Sequence, residues 1–509
     1  MSLTDLTDKI FSEIVESAKE KYRRENWRGT FDQFLAKLAE NPERYLRTSY
    51  KYIYDAIVHF GKEEIKDCGE TLPHYHVFDD PFGNGRKKIF GQHRLLESLV
   101  DEIRSSAEEE GPERIILLHG PPGTAKTSIM YLISKAMEFY SRTEEGELLR
   151  FKWKISNRPI DPGRQSKIGF QTESGEDGEK SSSKKKKSPK KSGVEMVCSL
   201  NDNPIFLIPA EQREEFLRKI IGDRDITVPK KILEGEICYN CRQIYNALLD
   251  KYHGDLEKVF QHIVVERFFI EDNQGFILIE PGTMEDPFHM QFKVLSEKIA
   301  RFLPGVVVQP LGGRWAASNR GLIHFSDIFK PNTGHYQLLS ASEEHRVTIN
   351  GISVNVDTLI GGTCNIEDYE SLKKNPLSGG LRDRIRRFGV NYVLNFKDEE
   401  KIYLRDLSGV KKKHIAPHSV SLAALWAVLT RLDKPIEEGL PENIALSEKA
   451  KQLLLGVNPM QKAEIYAGKE RHEFEYFGED EVKLIDDNFR KALKYTEGLL
   501  EQAYNYAEG

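Results

Sequence analysis

The fold is decided by Arg114-Ile-Ile-Leu-Leu-His119, which runs without a break into Gly120-Pro-Pro-Gly-Thr-Ala-Lys-Thr127. Such a short apolar run is what a parallel strand buried on both faces requires. Ser128–Phe139 then resumes helical spacing, so strand, glycine loop and helix follow in that order. Gly120 and Gly123 let the backbone wrap closely, and successive amide N–H groups can point into one concavity. The helix start adds its positive end to the same place. Gly120, Pro121, Pro122, Gly123, Thr124, Ala125, Lys126, Thr127 and Ser128 therefore read as a phosphate cradle, with ATP as the expected ligand. Lys126 is expected to reach the β- and γ-phosphates and the Thr127 hydroxyl to coordinate Mg²⁺. Ala125 stands where the pattern has glycine; its methyl is accommodated if φ is negative there.

A phosphate cradle needs an acid at the end of a neighbouring strand to hold Mg²⁺ and orient water. Leu322-Ile-His-Phe-Ser-Asp327 offers Asp327, after an apolar strand and before a helical Leu338–Glu344. Ser326 occupies the place of a first acid, which bears on hydrolysis more than on binding. Phe276-Ile-Leu-Ile-Glu280 is a rival; Asp327 is favoured over it because Glu280 is followed directly by Pro281-Gly282 and reads as half of a β-hairpin with Val264–Ile270 around Asn273-Gln274-Gly275.

Outward from the cradle, the chain reads as helical, then α/β, then helical. Residues 1–75 form an N-terminal helical segment, with Phe31, Phe34, Leu35 and Leu38 at helical spacing and Tyr45–Ile57 continuing after Asn41-Pro42. Residues 76–396 form the α/β nucleotide-binding domain, and 397–509 a helical lid and C-terminal helices, with Ser421–Leu432 and Glu481–Tyr506 the clearest. Strands are expected around Gly321–Phe325 and Val356–Gly361. Within the domain, residues 160–193 are Ser-, Lys- and Glu-rich and cannot bury enough apolar surface to order themselves. They read as a contact for an acidic partner or nucleic acid, or as a solvated insertion.

Across 509 residues, 39% are hydrophobic and 30% charged, the composition of a soluble globular protein. A formal net charge of −6 gives no overall pull on nucleic acid, which is not expected as a partner. No apolar run is long enough to span a bilayer, and Met1–Arg28 lacks the apolar centre of a signal peptide. Five cysteines cannot make a disulfide framework, so the expected location is a reducing cytoplasm. Cys238-Tyr-Asn-Cys241 is either a pair of free thiols at a helix start or half of a zinc site, with His253 and His262 the nearest downstream ligands. Lys411-Lys-Lys-His414 reads as a solvated edge.

Together the cradle and the Asp327 strand suggest an AAA+ ATPase. Ile89-Phe90-Gly91-Gln92 resembles the segment lining the AAA+ adenine pocket, which implies that Phe90 and Gly91 contact the base. Thr363-Cys364-Asn365 resembles sensor 1, with Asn365 facing the γ-phosphate. Leu381-Arg-Asp-Arg-Ile385 resembles the box that supplies an arginine finger to the next subunit, with Arg384 favoured over Arg382. Pro417-His418 stands where many relatives have Pro-Arg at the start of a lid helix. This leaves His418 as a phosphate contact or a surface histidine, with Arg431 free to pack along that helix.

The whole chain resembles the AAA+ part of the PrkA family, described as serine protein kinases. Phe31–Ile57, Glu280-Pro-Gly282, Asn319-Arg-Gly-Leu-Ile-His-Phe325, Val428-Leu-Thr-Arg-Leu432 and Met460-Gln-Lys462 carry the resemblance. It implies a ring-shaped homo-oligomer, commonly a hexamer, with ATP sites shared between subunits and a protein substrate or regulator. Such proteins usually continue into a C-terminal kinase-like domain, of which little or none is present here.

Three functions follow: an ATP-driven remodeller, a serine/threonine protein kinase, or a nucleotide-dependent scaffold with slow turnover. For a kinase, Phe82-Gly-Asn-Gly-Arg86 lacks a third glycine, and Tyr403-Leu-Arg-Asp-Leu407 has Lys411 where a metal-binding Asn is needed.

Overall fold

The computed structural model describes residues 11–495, except 12, 21, 23–24, 109–112, 156–192, 282–288, 331–334, 375–378, 410–413, 433 and 436–443. Nearly all of the lysine-rich insertion, most of the Lys411 run and the end of the chain beyond 495 lie outside the described residues.

Fourteen strands are present among them: β1 (Arg28–Gly29), β2 (Lys62–Asp67), β3 (Glu70–Tyr75), β4 (Ile115–His119), β5 (Leu148–Ile155), β6 (Val194–Val197), β7 (Ile263–Phe268), β8 (Glu271–Asp272), β9 (Gly275–Ile279), β10 (Gly321–Phe325), β11 (Arg346–Ile349), β12 (Ile352–Asn355), β13 (Thr358–Cys364) and β14 (Ile385–Gly389). The central sheet has the order β14-β4-β13-β10-β9-β8 and is parallel throughout. All five residues of β4 are buried. Successive side chains alternate faces, so Ile115 and Leu117 enter one core while Ile116 and Leu118 enter the other. Burying each of these four aliphatic side chains is worth roughly 1.5–3 kcal/mol, which fixes β4 at the centre. Helices Ser49–Val58, His93–Glu108 and Lys126–Tyr140 cover the second face. The first face lies against a second, antiparallel sheet of order β1-β7-β5-β6.

The expected α/β core is present, and several local expectations are corrected. Helix Phe31–Glu40 forms as read, with a capping box between Thr30 and Gln33, whereas the Tyr45–Ile57 stretch is split: Tyr45 ends a short helix from Pro42, and the next helix, Ser49–Val58, is capped by Thr48. Residues 62–75, however, are the antiparallel β2–β3 hairpin. Its first strand, Lys-Glu-Glu-Ile-Lys-Asp, is largely exposed and gives little strand signal; Leu72, His74 and Tyr75 on β3 are buried. The expected Val264–Ile279 hairpin does not form. Its first strand, β7, pairs with β5 in the second sheet, whereas β9 pairs in parallel with β10. The C-terminal helix is interrupted: Glu479–Val482 ends before Asp487–Tyr495, which starts where the Asp486 carboxylate accepts the Phe489 N–H at 2.8 Å. A third core gathers Val428, Leu432, Leu454 and Phe489, together with Cys68 of the β2–β3 turn.

Candidate nucleotide site

Parallel pairing brings the C-terminal ends of the strands together. His119 faces both Cys364 and Gly389, and Phe325 faces Gly362. The glycine loop leaves β4 here. Gly120 (φ +156) has no room for a side chain, because a Cβ would lie 2.1 Å from the Val390 carbonyl oxygen. Ala125 departs from expectation: its φ is 66° and ψ 13°, the left-handed region, not the negative φ that would have suited its methyl. It opens helix Lys126–Tyr140 without a side-chain cap, so the loop keeps a glycine-like turn at the expense of strain.

Lys126 is buried and its ammonium donates to the carbonyls of Gly120 (2.8 Å) and Pro121 (2.6 Å). An ammonium has three donors, so one N–H remains for a phosphate oxygen. Burial pulls its pKa down, opposed by Cys364 and Asp327. Cys364 is itself pushed up to about 12 by burial, so at neutral pH Asp327 is the charge that Lys126 feels. Thr124 is buried and donates its hydroxyl to the Pro121 carbonyl at 2.9 Å, whereas Thr127 is exposed on the first helical turn and Ser128 half-buried.

Asp327 follows β10 at φ 49°. Its strand is not next to β4, as the sequence reading had it, because β13 lies between them. Two strand spacings are about 10 Å, within the combined reach of a lysine and an aspartate side chain. The Asp327 N–H points to the Thr363 hydroxyl at 3.4 Å, and the Ile328 N–H donates to the Thr363 carbonyl at 2.9 Å. One Asp327 carboxylate oxygen accepts from Lys330 at 2.7 Å. Lys330 was not singled out in the sequence, although a lysine three residues after the acid was visible, and Thr363 was quoted only as part of the motif ending in Asn365. Ser326 is half-buried and its N–H donates to the Ile279 carbonyl at 2.8 Å. Asn365 follows β13, the strand between β4 and β10. Glu280, exposed, directly follows β9 of the same sheet and is not part of the expected hairpin; it stands one strand further out than Asp327.

Arg384 precedes β14, at the opposite end of the sheet. Gly389 is five residue steps further on, roughly 16 Å at about 3.3 Å per residue, so Arg384 stands away from its own phosphate loop. It pairs with Glu343 at 2.5 Å and donates to the Gly380 carbonyl at 2.6 Å, whereas Arg382 is exposed. His418 is exposed at φ 65° and precedes helix Ser419–Leu429. Arg431 lies beyond that helix and grips both Glu399 oxygens at 2.9 and 3.0 Å, tying it to helix Phe396–Leu407. Phe90 is half-buried, and Gly91 (φ +66) lines a cavity of about 70 Å³ with Gln92, Asn391, Tyr392 and Tyr466.

A second cavity, of about 330 Å³, lies among Arg47, Lys231, Arg320, His345 and Asp357. Arg320 and Asp357 directly precede β10 and β13, so this cavity is at the sheet end away from the loop.

Residues 186–438 match the family described as the PrkA AAA domain. The chain is 26% identical over 436 residues to the ATP-dependent protease PrkA of Bacillus subtilis (strain 168), a match spanning 83% of this chain and 57% of that protein. A solved structure, NtrX from Brucella abortus in complex with ADP, aligns with 58% of this chain and 70% of its own at 11% identity and a TM-score of 0.20, too slight a likeness to carry argument. The chain thus carries a PrkA-type AAA domain, and the six-stranded parallel sheet around the glycine loop is the α/β core such a domain has.

Proposed function

We propose that the chain binds ATP with Mg²⁺ at the C-terminal end of the central sheet and hydrolyses it in a ring of like subunits to remodel or regulate a protein partner. The observation supporting this reading is the convergence of Lys126, Asp327 and Asn365 on the ends of β4, β10 and β13. In it, the residues from Gly120 to Ser128 hold the phosphates, and Phe90 and Gly91 flank the base. The Thr127 hydroxyl and Asp327 carboxylate are hard oxygen donors of the kind Mg²⁺ takes. When bound there, the ion neutralises charge on the phosphates. Asn365 holds the attacking water, His418 touches phosphate when protonated, and Arg384 reaches the site of the adjacent subunit.

The Bacillus subtilis relative is called an ATP-dependent protease, which favours mechanical work on a protein over phosphotransfer to one. The kinase-like Tyr403–Leu407 stretch lies inside helix Phe396–Leu407, where Arg405 and Asp406 pair with each other at 2.9 Å. A slowly turning scaffold is favoured by one observation, the capture of Asp327 by Lys330 at 2.7 Å.

Incubating the purified chain with γ-labelled ATP, Mg²⁺ and a general protein substrate separates these outputs. Free phosphate without serine label is expected. Serine label in proportion to ATP consumed would overturn the remodelling reading, and binding without phosphate release would leave the scaffold.

A further inference from the structure

We propose that Cys198, Asp202, Cys238 and Cys241 form a structural zinc site beside the second sheet, away from the nucleotide loop. One ligand atom from each of these four residues can be chosen so that all lie within 4.8 Å of one another, and all four residues are buried. The sulfurs of Cys198 and Cys238 are 3.8 Å apart, and the Cys198 sulfur lies 3.2 Å from an Asp202 oxygen. A zinc tetrahedron with Zn–S of about 2.3 Å and Zn–O of about 2.0 Å has edges of roughly 3.8 Å between sulfurs and roughly 3.5 Å from sulfur to oxygen. The protein atoms already stand close to those separations. The Cys198–Cys238 distance is also too long for a disulfide, whose S–S bond is about 2.05 Å.

The local backbone is arranged for negatively charged sulfur. Cys238 is the cap residue of helix Tyr239–Lys251, so its side chain stands at the positive end of that helix. The Asp202 N–H points at the Cys198 sulfur at 3.4 Å, and the Cys238 N–H donates to an Asp202 oxygen at 2.7 Å. Three cysteines alone would pass as apolar packing, but a buried carboxylate among them would not. The Asp202 carboxylate is buried, and a divalent ion at the centre would supply the positive charge that a buried carboxylate needs. Metal entry would release the thiol protons and any Asp202 proton to solvent.

The sequence had suggested His253 and His262 to complete the Cys238–Cys241 pair. His262 is instead engaged by the Tyr252 hydroxyl at 2.8 Å and the Lys154 carbonyl at 3.0 Å, and neither histidine belongs to the cluster. The other two corners, Asp202 and Cys198, come from a stretch 36 and 40 residues upstream of Cys238. That stretch is tied to the nucleotide-binding half: Asn319 donates to the Leu200 carbonyl at 2.7 Å and Arg320 to the Asn201 carbonyl at 3.4 Å, directly before β10. The metal would clamp β6 and its following loop to the helix at Tyr239.

The test uses the full chain, produced in zinc-supplemented medium and purified without chelators. Elemental analysis is expected to find about one zinc per chain, and Co²⁺ replacement to give the thiolate charge-transfer and intense visible bands of a tetrahedral site. Cys241→Ser and Asp202→Asn should lose the metal on dialysis against a mild chelator, while Cys68→Ser retains it. A folded wild-type chain with substoichiometric zinc and no tetrahedral cobalt spectrum would overturn the proposal. So would full zinc retention in both ligand variants. Because the wild-type measurements need no variant, unfolding of Cys241→Ser would not shield the proposal.

Discussion

Replacing Ala125 by glycine tests whether the phosphate loop is held in a strained conformation. Ala125 sits at φ 66° and ψ 13°, with its methyl half-buried beside the core formed by Ile129, Met130 and Leu118. The left-handed region costs a residue with a Cβ roughly 1–2 kcal/mol. Glycine removes that cost but adds about 0.4–1 kcal/mol of entropy to the unfolded chain, and loss of the half-buried methyl costs about 0.4 kcal/mol. Ala125→Gly should therefore be more stable by about 0.5 kcal/mol. Ala125→Val, a β-branched residue in the same region, should be less stable than wild type by at least ~1 kcal/mol. Hydrogen exchange across helix Lys126–Tyr140 reads this locally, avoiding the two-state assumption that a chain of several cores does not satisfy. If the loop has the same conformation with and without nucleotide, ADP affinity should stay within about twofold, since the strain is common to both states. Faster exchange in Ala125→Gly than in wild type, or wild-type protection in Ala125→Val, would refute the strain argument.

Lys330→Ala should free the Asp327 carboxylate and lower the Mg²⁺ concentration for half-maximal ATP turnover by at most ~5-fold, because a solvent-screened pair of this kind is weak. A higher Mg²⁺ requirement would show that Lys330 assists the site. On β10, His324 is buried and desolvation pushes its imidazole down to about 4. The unfolded chain, with an ordinary value near ~6.5, takes the proton first on acidification. Stability is thus complete above that value and declines by about 3 kcal/mol as pH falls to about 4. His324→Leu should flatten this part of the urea-midpoint profile between about pH 6.5 and 5; His345, also pushed down to about 4 by burial, would leave a shallower slope. An unchanged profile would exclude His324 as a source of acid sensitivity. Mixing Arg384→Ala with Lys126→Ala subunits should restore part of the turnover that each lacks alone; no recovery at any ratio with assembly intact would count against a shared site.

The parallel core was legible wherever burial on both faces left an uninterrupted apolar run, as in Ile115–Leu118 and Gly321–Phe325. Elements that pair at an edge or carry charge were not. Lys62–Asp67 is a strand because β3 holds it, not because of its own residues. Val264–Ile270 and Phe276–Ile279 looked like a hairpin because a turn-forming Asn-Gln-Gly separates them, but a tight turn does not require its arms to pair. Here the chain passes from the second sheet to the central one between β7 and β8, before that turn, which places Glu280 in the central sheet's register. The site was legible as motifs, whereas its ion pairs were not: Lys330 on Asp327 and Glu343 on Arg384 depend on side-chain placement that spacing alone does not give. The zinc-ligand cluster was half visible as Cys238–Cys241, and its remaining members come from a distant loop.

The position of Arg384 bears most on how the site works. Lys126, Asp327 and Asn365 follow the C-terminal ends of β4, β10 and β13, whereas Arg384 precedes the N-terminal end of β14, in the same sheet. Parallel register fixes that separation, because Ile385 pairs with Ile115 and Gly389 with His119. An arginine side chain cannot cover roughly 16 Å of strand while gripping Glu343. A contribution to phosphate chemistry by Arg384 must therefore be made to another copy of the chain, with the Glu343 pair broken or rearranged on contact. In that arrangement Glu343 acts as a latch. Glu343→Gln should ease release of Arg384 and raise turnover at low protein concentration, where assembly limits the rate, but change it little once assembly is saturated. The same increase at all concentrations would place the effect of Glu343 within one subunit and refute the latch.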